Sequence, residues 1–315
     1  MNGALKKGTF CSVVSALVFG FTPVLASVTF DMGSNAMTLT FYRNALAVPV
    51  LLMILLLRKV DLRINLRDFL VLAAVSAVFS ATTTYILYDA YEYIGVGLST
   101  TLHFLYPVFT VLLGWVLFKK KPDKARIFAL ILATAGIVLA TGEGGSFAVK
   151  GIVLAVGSAV TYAGYLLGIE HTAVGKMDSM KSMFYMCIVN AVVVGLFDLP
   201  FGTINYALPP LTMFYTFLLA VLNSAFAYVL LIVGIRFIGA GNAAIFSMLE
   251  PVSGVAAGVI FLGETLPFMK AVSCVMVLTA VMIPIIKDRN AAVREEHLSC
   301  AYRGEEGQES NIDGI

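Results

Sequence analysis

Apolar residues in this chain come in blocks of about twenty, each closed by a short polar or charged stretch, with no alternating pattern that would suit a half-buried strand. A helix needs about 20 mainly apolar residues to cross a bilayer. Ten blocks meet that length, at roughly 9–30, 37–57, 69–88, 96–118, 125–142, 149–170, 180–200, 211–233, 240–262 and 267–286. The pattern predicts an all-α integral membrane protein with ten transmembrane helices.

Composition leaves little room for anything else. The 315 residues are 59% hydrophobic and 13% charged, about half the charged fraction of a soluble domain, and the mean hydropathy is +0.92. After Lys287 the chain changes character: seven acids stand against three arginines, which reads as an acidic, solvated, disordered tail at 288–315 on the cytoplasmic side. Cys11, Cys187 and Cys274 fall in apolar blocks and Cys300 in the tail, so neither a disulfide nor a metal spacing is indicated. No cofactor and no metal site is expected. The first 27 residues have the basic start, apolar stretch and small residues of a signal peptide. Nine further spans, and a repeat that needs this segment as its first member, favour a retained helix.

Positive charge gathers in cytoplasmic loops. With the N-terminus inside, 18 of the 21 lysines and arginines lie on that side, Lys150 and Lys270 lie outside, and Arg43 lies within a span. Setting TLHFLYPVFTVLLGWVLFKK (101–120) against IFSMLEPVSGVAAGVIFLGE (245–264) matches Leu105, Pro107, Val108, Val111 and Gly114 with Leu249, Pro251, Val252, Val255 and Gly258 at an offset of 144. At the same offset Gly95 and Gly97 match Gly239 and Gly241, and Ser80 and Ala81 match Ser224 and Ala225. At 143, Gly8, Ser15 and Ala16 match Gly151, Ser158 and Ala159. The chain reads as two five-helix halves, 9–142 and 149–287. Because five is odd, the halves are inverted, the plan of many secondary transporters. Lys119 and Lys120 align with Gly263 and Glu264, the change of charge expected when equivalent loops face opposite compartments.

These features resemble the drug/metabolite transporter superfamily, specifically the EamA family of ten-helix carriers with two EamA repeats. The resemblance covers roughly residues 9–287. Its signature is an apolar helix that opens near a proline and ends Leu-Gly-Glu, here Pro251 to Leu262, Gly263 and Glu264, with a copy from Pro107 to Phe118 that lacks the final Gly-Glu. The resemblance implies export of a small metabolite, often an amino acid or related compound, through a central cavity between the halves.

The candidate chemistry centres on Glu250, near the middle of its span, where a charge costs about 2.5–3.5 kcal/mol on insertion scales. Pro251 cannot donate a backbone hydrogen bond and frees a carbonyl one turn back, a break tolerated at depth only against protein or a wet cavity. Glu250 is therefore a candidate for binding a proton or a substrate amine. The competing reading is a protonated, purely structural acid. Pro107 produces the same break near His103, a candidate proton relay that packing alone would also explain. Arg43 could grip a substrate carboxylate with its two-pronged guanidinium or snorkel to outer headgroups. Asn223 and Tyr162 are candidates for neutral hydrogen bonds to a ligand, as are Asn190, Asn242, Tyr85, Tyr88 and Tyr165, although interhelical bonds would account for each. Gly114, Gly254 and Gly258 read as close-packing positions, with Gly254 and Gly258 forming GxxxG.

No Walker A pattern or soluble energy-coupling domain is present, so the expected function is secondary transport of a small polar metabolite by alternating access, with a proton as the natural coupling ion. A carrier exporting drugs or organic cations is the alternative. An intramembrane enzyme would need clustered acids or a nucleophile-base pair, and a channel would need a charged ring or filter loop; the sequence offers neither. The expected partners are a small-molecule substrate and the lipid bilayer. Nucleic acid is not among them, because membrane topology accounts for the basic residues. The expected location is the cell membrane, with both termini cytoplasmic. Oligomeric state and substrate identity are open at this level.

Overall fold

Glycines and prolines at repeat-equivalent positions decide where the helices of this chain bend and break. The computed structural model describes residues 3–140, 148–262, 268–269, 271–284 and 286–287, and these contain helices and turns but no strand. The first half consists of α1 (Gly3–Phe19), α2 (Thr22–Asp31), α3 (Ala36–Leu57), α4 (Leu66–Ala74), a π-helical stretch Val75–Ala81, α5 (Thr82–His103), α6 (Tyr106–Phe118) and α7 (Lys124–Ala140). The second consists of α8 (Val149–His171), α9 (Ser179–Asp198), α10 (Pro210–Leu219), a π-helical stretch Ala220–Ala227, α11 (Tyr228–Ile238), α12 (Ala240–Ser247), α13 (Glu250–Leu262) and α14 (Ala271–Pro284). Six helical runs are long and apolar enough to cross a bilayer unaided; the shorter helices complete ten crossings.

Local chemistry explains the ends. Asn35, Asn65 and Asp178 cap α3, α4 and α9, each side chain accepting a hydrogen bond from a backbone N–H of the first turn. Gly95 (φ 73°, ψ 164°) and Gly239 (φ 79°, ψ 159°) share one backbone conformation, in a region essentially closed to other residues. Each opens an eight-residue helical piece, the end of α5 from Val96 to His103 and α12, that stops before a proline-led helix. Pro107 and Pro251 sit in the first turns of α6 and α13, where a missing N–H costs nothing.

The first span, expected to be unbroken, is instead interrupted at Gly20 and Phe21, and α2 restarts with Pro23 in its first turn. The third and fourth spans, expected as separate helices, meet inside α5 at Gly95, whose non-helical backbone divides it into two helical pieces. The Leu-Gly-Glu ending at Gly263 and Glu264, the loop basic residue Lys270, the end of the fifth span at 141–142 and the acidic tail at 288–315 lie outside the described residues, as do the surroundings of Gly258.

The halves are related by a pseudo-two-fold. α1 packs on α11 as α8 packs on α5, and α3 crosses its own equivalent, α9. A methyl group on Gly8 would lie 2.7 Å from Phe237 Cβ and from Ile238 Cγ2; one on Gly151 would lie 2.8 Å from Tyr93 Cβ and 2.7 Å from Ile94 Cγ2. The two glycines are equivalents, and so are the residue pairs they seat. Between helices in lipid there is little hydrophobic drive, so this close approach of backbones contributes through packing. Gly8→Val and Gly151→Val are each expected to lower thermal stability in detergent by about 1–3 kcal/mol, whereas Gly157→Ala, with only Ile86 Cδ1 at 3.6 Å, is expected to leave the midpoint nearly unchanged. A thermal unfolding series checks this.

Candidate functional site

Tyr106 and Glu250 occupy the same place in the two repeats, 144 residues apart, and they touch: the tyrosine hydroxyl lies 3.5 Å from Glu250 Oε1. Two equivalent residues can meet only beside the pseudo-two-fold axis, so this contact marks the axis. Glu250 is the first residue of α13, where the unpaired N–H groups and dipole of a helix N-terminus favour an acid. Sequence reasoning saw the acid and the proline but not that the helix restarts at the acid itself.

Above this point lies a cavity of about 340 Å³ that extends toward the end of the bundle holding α2 and the bend in α5. Its wall contains Glu250, His103, Arg43, Asn223 and Tyr162 together, so the five candidate residues converge on one space. Glu250 is only partly buried, and it contributes to the cavity wall. His103 is buried, with Nδ1 2.8 Å from Ser158 Oγ and its ring against Tyr106 and Tyr162. Asn223 donates from Nδ2 to Thr22 Oγ1 at 2.9 Å. Its helix is in π form there, the equivalent of the π stretch beside Thr83 and Thr84; such stretches are frequent at functional sites.

Arg43 departs from one of its two expected readings. It is 4% exposed and does not snorkel: the guanidinium turns inward, donating to Thr84 Oγ1 at 3.0 Å and Tyr88 Oη at 3.2 Å. The faces of Tyr88 and Tyr228 lie 6.0 and 5.9 Å away.

Other candidates fall elsewhere. Asn190 accepts from Ser76 and donates to Ser80 and Asn44 in a buried network between α3, α9 and the first π stretch. Asn242 accepts from Arg126, Tyr165 stacks behind Tyr162, and Tyr85 packs near Phe197; none of the four lines the cavity. Of the glycines, Gly254 lies at a close crossing, where a methyl would meet Gly20 O at 3.2 Å. Gly114 is buried but roomy, with Leu167 Cδ2 at 3.6 Å. The reading missed Tyr91, Tyr228 and the threonines at 22, 83, 84, 100 and 101. It also missed Tyr106, which the repeat alignment had already placed opposite Glu250. Among the described residues no group of three His, Cys, Asp or Glu side chains is arranged for a metal ion.

At the opposite end of the bundle ion pairs and hydrogen bonds join the two halves. Lys120 pairs with Glu170, whose other oxygen accepts from the backbone N–H of Ala240 at 3.1 Å, and Arg126 donates to Asn242. Lys287 Nζ lies 2.9 Å from Asp123. Burial acts to raise the Asp123 carboxyl, but hydrogen bonds from Lys287 and from Arg126 outweigh it and hold the group below its usual range. Lys120 and Lys287 are about half exposed, and such pairs contribute about 0–1 kcal/mol each, a closure weak enough to open.

A ten-span helical protein of two inverted repeats around an axial cavity is the architecture of a carrier. The chain belongs to the EamA-like transporter family, whose profile matches residues 6–142 and 149–285. It is 26% identical over 250 residues to the Bacillus subtilis (strain 168) protein named "Uncharacterized transporter YvbV", covering 76% of this chain and 79% of that protein. It is 25% identical over 281 residues to "Uncharacterized transporter YcbK" of the same organism, covering 85% and 89%. A solved structure described as "Crystal structure of protein" superposes with a TM-score of 0.79 at 16% identity, covering 91% of this chain and 99% of that one, a likeness of fold.

Because Asn190 serves the interface and not the cavity, Asn190→Leu is expected to lower stability by about 1–3 kcal/mol. Thermal unfolding measures this, while ligand binding by the folded fraction stays unchanged.

Proposed function

We propose that this chain is a secondary carrier that exports a small polar metabolite, an amino acid or related compound, by alternating access, with proton coupling at Glu250. The observation that carries the reading is the position of Glu250 beside the pseudo-two-fold axis, on the wall of a cavity that reaches toward one end of the bundle while ion pairs close the other. A group on the axis meets both halves in every arrangement they adopt, so its protonation can bias which arrangement is favoured. His103, next to Tyr106, is the second proton-handling candidate.

The closed end carries Lys6, Lys7, Arg58, Lys59, Lys119 to Lys121, Lys124, Arg126 and Lys176, which by the positive-inside rule is cytoplasmic. The cavity then faces the exterior, the arrangement in which an exporter releases its substrate. Both termini lie in the cytoplasm, and the protein is multi-pass in the cell membrane. Arg43 in the cavity wall opposes the alternative of organic-cation efflux.

The test is uptake and counterflow of a pooled, labelled metabolite panel in proteoliposomes, with and without an imposed pH gradient, for wild type and Glu250→Gln. The variant is expected to lose pH-driven accumulation by about tenfold or more and to keep counterflow. Unchanged pH-driven accumulation would make the carboxylate structural and overturn the coupling role.

A further inference from the structure

A guanidinium cannot shed its proton inside a protein, and moving it from water without a counter-charge is expensive. Arg43 is in that situation. It is buried against the cavity, and among the described residues no acid lies within ion-pair distance of it. It is also the only lysine or arginine in the described cavity wall, and Glu250 is the only acid there. The acid faces Tyr106, not the arginine. Two hydroxyls and two tyrosine faces hold Arg43, which offsets part of the cost but supplies no negative charge.

A second observation narrows the partner. Nine buried side-chain polar atoms among the described residues have no hydrogen-bond partner, and the two that belong to cavity-lining residues are Arg43 Nε and Asn223 Oδ1. One is a cationic donor and the other a neutral acceptor. Leaving such groups unmatched is costly; both atoms are buried within the wall and do not face the cavity as it stands, so a ligand that presents an anionic acceptor to Arg43 and a donor to Asn223 would meet them once these side chains turn toward it. One guanidinium balances one negative charge, which favours a carboxylate over a phosphate dianion. Tyr88, Tyr91, Tyr162, Tyr228, Phe19 and Phe104 add aromatic surface to the wall, suited to a planar or apolar remainder.

We propose that the cavity takes a small organic monoanion bearing a carboxylate and a neighbouring hydrogen-bond donor, with Arg43 holding the carboxylate and Asn223 accepting from the donor. This deepens the carrier reading and rests on it in taking the cavity as the substrate's site. It leaves Glu250 free for the proton, since the substrate's charge is met elsewhere.

The test measures binding to the full chain in lipid nanodiscs with four probes on one skeleton: 3-phenyllactate, 3-phenylpropionate, 3-phenyllactamide and 3-phenylpropylamine. Wild type is expected to bind phenyllactate about tenfold or more tighter than the amide or the amine and severalfold tighter than phenylpropionate. Arg43→Gln removes the preference for the acid over the amide, and Arg43→Lys, which keeps the charge and guards against misfolding as the cause, retains part of it. Asn223→Ala brings phenyllactate and phenylpropionate to similar affinities. Equal binding of acid and amide by wild type, an acid preference that survives Arg43→Gln, or no binding of any probe would overturn the proposal. Flux of phenyllactate into proteoliposomes, read alongside, separates this from the carrier reading: tight, charge-selective binding without flux sinks transport and keeps the anion site. Flux without charge preference does the reverse.

Discussion

Backbone hydrogen bonding in the bilayer is the constraint on which this structure depends. Inside hydrocarbon a helix can stop only where protein or a cavity takes up the freed backbone groups, and this chain stops two helices at mid-depth. It does so at equivalent places, after His103 and after Ser247, and the inverted repeat sets the two restarts against each other so that Tyr106 meets Glu250. The break in the first span at Gly20 belongs to the same arrangement, because a methyl there would lie 2.6 Å from Glu250 O. The interrupted helices thus shelter one another's ends, and the space they leave is the cavity.

Charge placement follows from that geometry. A carboxylate at the start of α13 is favoured by the helix end it occupies, and the guanidinium of Arg43, the eighth residue of α3, is met by hydroxyls and aromatic faces. Glu250 and Arg43 share a cavity wall without pairing with each other, the arrangement on which the proposal of separate proton and substrate charges rests. At the closed end, exposed pairs such as Lys120 with Glu170 and Asp123 with Lys287 join the halves. Their weakness is what the proposed alternating access would require of them.

Much of this was legible in the sequence, and the gaps have physical causes. Hydropathy found the ten crossings because bilayer thickness sets their length. The repeat found the two breaks because proline and glycine act locally on the backbone. The five residues that line the cavity drew attention in the sequence because polar groups at depth are expensive. What could not be read was direction: whether Arg43 turned inward or snorkelled depended on Thr84 and Tyr88, one helix away. Asn190 is a second asparagine at depth whose structural role shows only in its partners Ser76, Ser80 and Asn44. Tyr106 was a failure of use, since the alignment already paired it with Glu250. The break at Gly20 was hidden because the first span's apolar run continues through it.

The central claim is that the two halves rock about the Tyr106 and Glu250 contact, and it is tested most directly by pulsed electron spin resonance in lipid nanodiscs. Spin labels at positions 121 and 176 would report the closed end, and labels at 31 and 150, one in each half, the end toward which the cavity extends. As pH and a transported ligand are varied, the account predicts that the first distance lengthens while the second shortens, in the same samples and with the same midpoint. Two distances that stay fixed under conditions supporting flux, or that change independently, would contradict it.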